Sequence, residues 1–174
     1  NVNEDHDFYL SADDISSDNY LLRVLPKPSL MGFRINLDYP EYTDLKDEEL
    51  NNVGDLTLPE GTKVEWGFMT KNTNQINLHF PDSLVVLSPF GQNSFSHTQQ
   101  FFKSASYSIS TQNDYITNDD SIAYFLNVIK DASPSISVDE KLDSGNTLLH
   151  YFNGEIADDY GFTKLVFKYK RVND

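Results

Sequence analysis

Apolar and polar residues alternate with a period of two in four separate stretches, and this constrains the fold more than any other feature. The clearest is TKVEWGFMT (62–70), where every second residue around Trp66 is apolar. QINLHF (75–80), GFRINLDYP (32–40) and SASYSISTQN (104–113) repeat the pattern. Because successive side chains of a strand point to opposite faces, each stretch predicts a strand with one buried face.

Turn-forming residues separate these stretches. LPEGT (58–62), KNTN (71–74), SPFGQN (88–93) and TNDDS (117–121) are rich in Gly, Pro, Asn and Asp, the residues that turns favour. Only TDLKDEELNN (43–52) predicts a helix, and it has apolar residues for no more than one or two surface turns. Short strands at this spacing predict an all-β fold, an immunoglobulin-like β-sandwich.

Two parts of the chain are repeated later in the same order. Residues 8–30 and 107–136 both contain an aromatic-x-apolar-Ser strand, a polar turn, a second strand with Tyr-x-x-x-Val, and a proline exit. Residues 64–80 and 149–170 both read as two strands around a polar turn. Such repetition is typical of tandem modules, in which one structural unit recurs along the chain.

The repeats divide the chain into three parts. Residues 1–26 correspond to the closing hairpin of a preceding module, 27–132 to a complete immunoglobulin-like sandwich, and 133–174 to the opening strands of a following module. A lone hairpin exposes its apolar face, so we expect 1–26 and 133–174 to cover each other, within one chain or in a strand-exchanged homodimer. We therefore expect the chain to be a piece of a longer protein.

Two adjacent aspartates, Asp158 and Asp159, lie in the sequence NGEIADDYGF between apolar runs. The residue pattern favours a turn, in which aspartates accept backbone hydrogen bonds and Gly161 supplies a positive φ. The alternative is a calcium site in which Asp131, from the linker VIKDASP, joins them, because calcium takes six to eight oxygen ligands in irregular geometry. The first linker and its turn, LPKP and KNTN, contain no carboxylate, so a calcium site is expected only at the second joint.

The aromatic residues have structural and functional interpretations. Trp66 is predicted in the core between the sheets, and Tyr107 as a tyrosine corner. Phe101 and Phe102 are adjacent, so one of them is expected to be exposed. Together with FPDSLVVLSPF (80–90), an exposed phenylalanine is an alternative carbohydrate-stacking surface, although it indicates a protein-binding surface more strongly.

No catalytic signature emerges from the chain, which is therefore predicted not to be an enzyme. It lacks a nucleophile elbow, phosphate-binding glycine loops, cysteine and metal-spaced histidines. With 27 acidic and 13 basic residues its net charge is −14, which disfavours nucleic acid and anionic membranes as partners. We expect no cofactor apart from the calcium of the alternative above.

Several stretches together resemble one protein family. They are LPKPSL, LDYPEYT, GDLTLPEGTKVEWGFMTKNT, YFLNVIKDASPSISV and GEIADDYGFTKLVFKY. The chain is similar in these to the extracytoplasmic segment of large, uncharacterised bacterial envelope proteins with N-terminal transmembrane helices and tandem immunoglobulin-like modules. The resemblance implies a periplasmic location in a membrane-anchored parent, and a spacer or protein-interaction role. It carries no catalytic residue over to this chain.

Overall fold

The alternating stretches form strands, as the sequence predicts. The structure, a computed structural model, describes residues 2–142, 144–146 and 148–170. The fold is all-β. Its strands are β1 (His6–Phe8), β2 (Ser11–Ala12), β3 (Ile15–Ser16), β4 (Tyr20–Leu22), β5 (Ser29–Asp38), β6 (Glu48–Asn51), β7 (Leu56–Pro59), β8 (Lys63–Lys71), β9 (Gln75–Phe80), β10 (Ser83–Leu87), β11 (Ser94–Gln100), β12 (Ala105–Gln112), β13 (Thr117–Ile129), β14 (Ser135–Leu142) and β15 (His150–Ala157).

Strands β5 to β13 form two sheets that pack face to face. One has the order β11-β8-β5-β6 and the other the order β10-β9-β12-β13-β7. All the pairings are antiparallel except β7 with β13, which is parallel. The order places consecutive strands β8 and β9 in opposite sheets, so the chain crosses the sandwich at the turn between them.

Every fully buried apolar side chain lies between these two sheets. In β8 the buried residues are Val64, Trp66 and Phe68, alternating with exposed or half-buried ones. Facing residues of the second sheet, such as Ile109 and Leu126, are 2% and 0% exposed. The core cluster runs from Phe33 to Val128, so it is confined to the central sandwich. Trp66 is therefore a core residue, as predicted.

The predicted helix at 43–52 is wrong. A single 3-10 turn occupies Glu41–Thr43, and Glu48–Asn51 pairs with β5 as an edge strand. The Asn52 side chain accepts a hydrogen bond from the Phe33 amide at 2.9 Å, and its own backbone has φ 55°. Sheet pairing supplies more contacts than a surface helix with two leucines could, so tertiary pairing overrides local helix propensity.

Tyr107 fixes the centre of the core rather than a local corner. Its hydroxyl donates to the Gly54 carbonyl oxygen at 2.8 Å, from the segment before β7. The Trp66 ring packs edge-on against the Tyr107 ring at 5.7 Å. Gly54 itself lies against Tyr124, where an added Cβ would stand 2.3 Å from a ring carbon. The prediction of a tyrosine corner is thus wrong, because the acceptor is distant in the chain.

The N-terminal strands form one small hairpin. β1 pairs with β4 and β2 with β3, both antiparallel, and Asp13 in the tip has φ 48°. Phe8 and Tyr20 stand opposite each other, with ring centroids 5.4 Å apart. The hairpin β12–β13 places Tyr107 opposite Tyr124 in the same way, with centroids 5.6 Å apart.

The C-terminal strands form a second hairpin. β14 pairs antiparallel with β15 from Ser135 opposite Ala157 to Leu142 opposite His150. In the central sandwich β5 begins in the same way, with Ser29 opposite Lys71. The predicted strand after the turn is not formed, because no described residue between 158 and 170 belongs to a sheet.

The two hairpins do not cover each other within one chain. Their strand residues are all exposed. They leave the central sandwich from opposite ends of β8, roughly 26 Å apart at about 3.3 Å per residue. The structure therefore shows no mutual cover within one chain, and the expected cover stays a prediction for association between chains. The described part of the chain holds no helix with the length and apolarity of a membrane span.

Candidate functional site

The first joint connects the N-terminal hairpin to the sandwich through the Asn113 side chain and an exposed ion pair between Lys27 and Asp120. The buried Asn113 amide donates to the carbonyl oxygens of Pro26 at 2.7 Å and of Asn72 at 2.9 Å. The Asn113 side-chain oxygen accepts from the amides of Tyr115 and Ile116. One side chain therefore ties the linker, the β8–β9 turn and the β12–β13 turn together.

The second joint, formed by linker 130–134 and residues 158–161, is acidic and aromatic. One carboxylate oxygen of Asp159 accepts a hydrogen bond from the Ala132 amide at 3.2 Å. The Tyr42 and Tyr160 rings meet edge to face, with centroids 5.0 Å apart. The Tyr42 hydroxyl donates to the Glu60 carbonyl oxygen at 2.6 Å, which fixes that ring on the sandwich.

Negative charge accumulates at this joint. Loss of solvent around Asp131, then the charges of Asp159, Asp158 and Glu60, raise the pKa of Asp131. Burial, then the charge of Asp131 and its neighbours, raises the pKa of Tyr42. Carboxylates that raise one another's pKa attract cations or protons, and a cation or a proton relieves their repulsion.

The three aspartates proposed as calcium ligands are close but not gathered as a cage. Within the described ranges, no group of three or more His, Asp or Glu side chains is placed to hold a metal ion. One carboxylate oxygen of Asp159 already accepts a hydrogen bond from the Ala132 amide of the linker. Residues 159 and 160 form a bend and Gly161 has φ 88°, as the turn interpretation predicts. Calcium at Asp131, Asp158 and Asp159 stays a prediction.

The exposed phenylalanines of the sandwich do not share one face. Phe101 is buried and Phe102 is 54% exposed, which confirms that only one of the pair faces solvent. Phe90 is also exposed, but it lines a depression with Phe33 and Phe68, whereas Phe102 lines others near Phe80 and Gln100. A carbohydrate-binding surface of several neighbouring aromatic rings therefore stays a prediction, and the separate positions of Phe90 and Phe102 give it little support.

The sequence predicts an exposed apolar face on the C-terminal hairpin, but not the groove that residues 165–167 form over it. Directly paired residues of β14 and β15 share a face, and this face presents Ile136, Val138, Phe152 and Ile156. A groove between it and residues 165–167 is lined mainly by apolar side chains. The Phe152 and Phe167 rings are 5.4 Å apart. The signal was available in KLVFKYK (164–170), whose alternation resembles that of the core strands.

A histidine–carboxylate contact borders this apolar face. His150 Nδ1 contacts the Glu140 carboxylate on the neighbouring strand. No protein-family model, curated protein or solved structure matches this chain. The geometry alone therefore indicates its candidate sites, which are the exposed hairpin faces and the second joint.

Proposed function

We propose that the chain is a non-enzymatic spacer and protein-interaction segment of a bacterial envelope protein, built from immunoglobulin-like modules. The strand order supports the module type. A parallel pair β7–β13 at one sheet edge and antiparallel pairs elsewhere are typical of immunoglobulin-like sandwiches. The envelope location rests on the sequence resemblance described above.

The contrast between a closed centre and open ends carries this proposal. The central sandwich holds the buried apolar core, whereas every strand residue of the two hairpins is exposed, among them Phe8, Tyr20, Ile136 and Phe152. Soluble proteins rarely expose contiguous apolar surface without using it for contact with another molecule. Two hairpins with apolar faces, fixed at opposite ends of a rigid sandwich, suit a segment that connects protein to protein.

Matching strand registers support modules in tandem. Phe8 and Tyr20 pair as Tyr107 and Tyr124 do. Ser135 opens β14 as Ser29 opens β5, each after a proline. On this reading the N-terminal hairpin is the closing part of one module, and β14–β15 is the opening part of another.

Site-specific photo-crosslinking tests the interaction role. A benzophenone amino acid is placed at Tyr20 or at Phe152 of the protein in its source cells, with the exposed Ser96 of β11 as control. We expect adducts to defined positions of a polypeptide at the two hairpin sites and none at Ser96. Absence of adducts at both hairpin sites, or equal labelling at Ser96, would contradict the proposal.

A calcium-stiffened second joint is the alternative function. The observation in its favour is the raised pKa of Asp131, caused by loss of solvent and then by the charges of Asp159, Asp158 and Glu60. Calcium bound between linker and turn would fix two modules at one angle, because its oxygen ligands would come from both sides of the joint. The calcium titration in the Discussion separates this alternative from a plain turn.

A further inference from the structure

The outer edges of both flanking hairpins, and segment 164–170, lack a strand partner among the described residues. β1 pairs only with β4, so its other edge is open. Residues 164–170 (KLVFKYK) belong to no sheet, although Leu165, Phe167 and Tyr169 alternate with lysine or valine. An open edge accepts an added strand through the amide and carbonyl groups that point away from its own hairpin, whereas those of Leu10 are bonded to Ser17 inside the hairpin.

The central sandwich shows how such edges pair. β9 runs antiparallel to β12, with Leu78 opposite Ile109 and His79 opposite Ser108. At the end of this ladder the Phe80 ring stacks on the Tyr107 ring at 5.9 Å. β9 thereby lies between β10 and the β12–β13 hairpin in the second sheet, which covers the first.

The flanking segments fit the same arrangement. Residues 165–167 already lie over the apolar face of β14–β15, with Phe167 against Phe152, as a strand of a second sheet lies over a first. The N-terminal hairpin has the cross-strand aromatic pair of β12–β13. Segment 164–170 therefore corresponds to β9, and β1 corresponds to the strand that β9 pairs with.

Transferring the central register gives specific contacts. Phe8 takes the position of Tyr107 and Tyr169 that of Phe80, so these two rings stand opposite each other. Leu10 then faces Phe167 on the buried side, and Asp7 faces Lys170 on the exposed side. All four of Phe8, Leu10, Phe167 and Tyr169 are exposed in the single chain, at 43%, 67%, 70% and 84%.

Charge complements this pairing. Residues 4–7 carry three acidic side chains and no lysine or arginine, whereas 164–170 carries three lysines and no acid. Opposite charges on adjacent strands stabilise the pair, and like charges would oppose it. In the single chain the two segments are exposed and leave the sandwich at opposite ends of β8, so the pairing is expected between copies.

We propose that residues 167–170 of one copy pair antiparallel with residues 7–10 of a second copy, so that its N-terminal hairpin covers the apolar face of β14 and β15. The inference rests on the proposed function, since it names the partner of those same faces. The contact is head to tail, because each copy offers a different surface at each end. Such contacts add copy after copy unless the rotation closes a ring.

Sedimentation velocity of the purified full chain at rising concentration tests this pairing. One variant blocks the N-terminal side (Phe8→Asp with Leu10→Asp), and a second blocks the C-terminal side (Phe167→Asp with Tyr169→Asp). We expect the unmodified chain to form species larger than dimers and each variant to stay monomeric. An equimolar mixture of the two variants should form a heterodimer and nothing larger, because only one compatible pair of ends remains.

Controls separate loss of pairing from loss of folding. Fluorescence of Trp66, the one tryptophan, should be unchanged in both variants because the sandwich core is untouched. Asp7→Lys and Lys170→Asp should each weaken association by up to about fivefold, and the double charge exchange should restore it.

Some outcomes would overturn the inference. An unmodified chain that stays monomeric at every concentration would do so, as would blocked variants that still associate alone. If hairpin crosslinks in cells persist while the purified chain stays monomeric, the inference fails and the proposed function stands. If the purified chain associates as expected but the cellular crosslinks are absent, the inference stands and the proposed function fails.

Discussion

The central sandwich and the C-terminal hairpin contain the same kind of strand in different surroundings. Trp66 and Phe152 occupy matching positions in their strands. Trp66 lies five residues before Lys71, which pairs with Ser29. Phe152 lies five residues before Ala157, which pairs with Ser135. Trp66 is 0% exposed and Phe152 is 52% exposed. The difference is the second sheet, which covers Trp66 and is missing over Phe152. Alternation specifies which face of a strand is apolar, and only a facing sheet makes that face a core.

Truncating these two equivalent residues should sharpen the comparison most. Trp66→Ala removes a fully buried ring, and we expect it to lower the free energy of unfolding by about 3–5 kcal/mol. Phe152→Ala should change it by less than about 1 kcal/mol, because the ring is half exposed. Chemical denaturation of dilute protein, at concentrations where the chain is monomeric, measures both. Similar losses in the two variants would break the comparison.

Alkaline pH should destabilise the central sandwich and leave the two hairpins unaffected. Burial raises the pKa of Tyr107 to about 12, while an unfolded tyrosine titrates near 10. The folded chain therefore keeps a proton that the unfolded chain loses, so this stability is complete below pH 10 and falls as the pH rises towards 12.

Comparison with Tyr107→Phe isolates this contribution. The slope of stability against pH above 10 should be less steep in the variant, by up to about 1.4 kcal/mol for each pH unit. Tyr20→Phe, which changes an exposed tyrosine of the N-terminal hairpin, should leave the slope unaltered. Equal slopes for the original chain and Tyr107→Phe would show that the Tyr107 hydroxyl titrates as if exposed.

The two joints should differ in how much they depend on one side chain. Asn113→Ala removes the hydrogen bonds to Pro26 and Asn72, and we expect a loss of about 1–2 kcal/mol. Asp159→Ala removes one exposed hydrogen bond and also a repelling charge, so the loss should stay below about 0.5 kcal/mol. Thermal unfolding of both variants measures the difference. A larger loss for Asp159→Ala would reverse this ranking.

Calcium should have the smallest effect, because residues 158–161 form a turn. Calorimetric titration of the chain with calcium chloride is expected to give no saturable heat, and Asp158→Asn should behave identically. A saturable heat that Asp158→Asn abolishes would instead support the calcium alternative with Asp131 and Asp159. Magnesium chloride at the same ionic strength controls for general screening of the acidic joint.

The sequence predicted the fold class and the buried faces well because both depend on local alternation. The burial of Trp66 and the exposure of one of Phe101 and Phe102 followed from that alternation, and the β8–β9 turn followed from the turn residues KNTN. The Tyr107–Gly54 bond could not be predicted, since it joins residues 53 positions apart. The helix prediction for residues 43–52 was wrong for the same reason, because pairing with the distant strand β5 determines the structure of this segment.

The candidate sites were predictable in part. Asp131 and Asp159 were expected at one joint, and the structure brings Asp159 to the amide next to Asp131. The contribution of Tyr42 and Glu60 was not foreseen, since both come from turns far away in the sequence. The open edge of 164–170 was also missed, because a sequence alone does not show whether a strand has found its partner.

Amide hydrogen exchange followed by mass spectrometry tests the central claim most directly. In dilute protein we predict strong protection across residues 29–129 and weak protection in 6–22 and 135–157, because only the central strands are covered by a second sheet. Protection of the two end segments should rise with protein concentration. Equal protection of ends and centre in dilute protein would contradict the account.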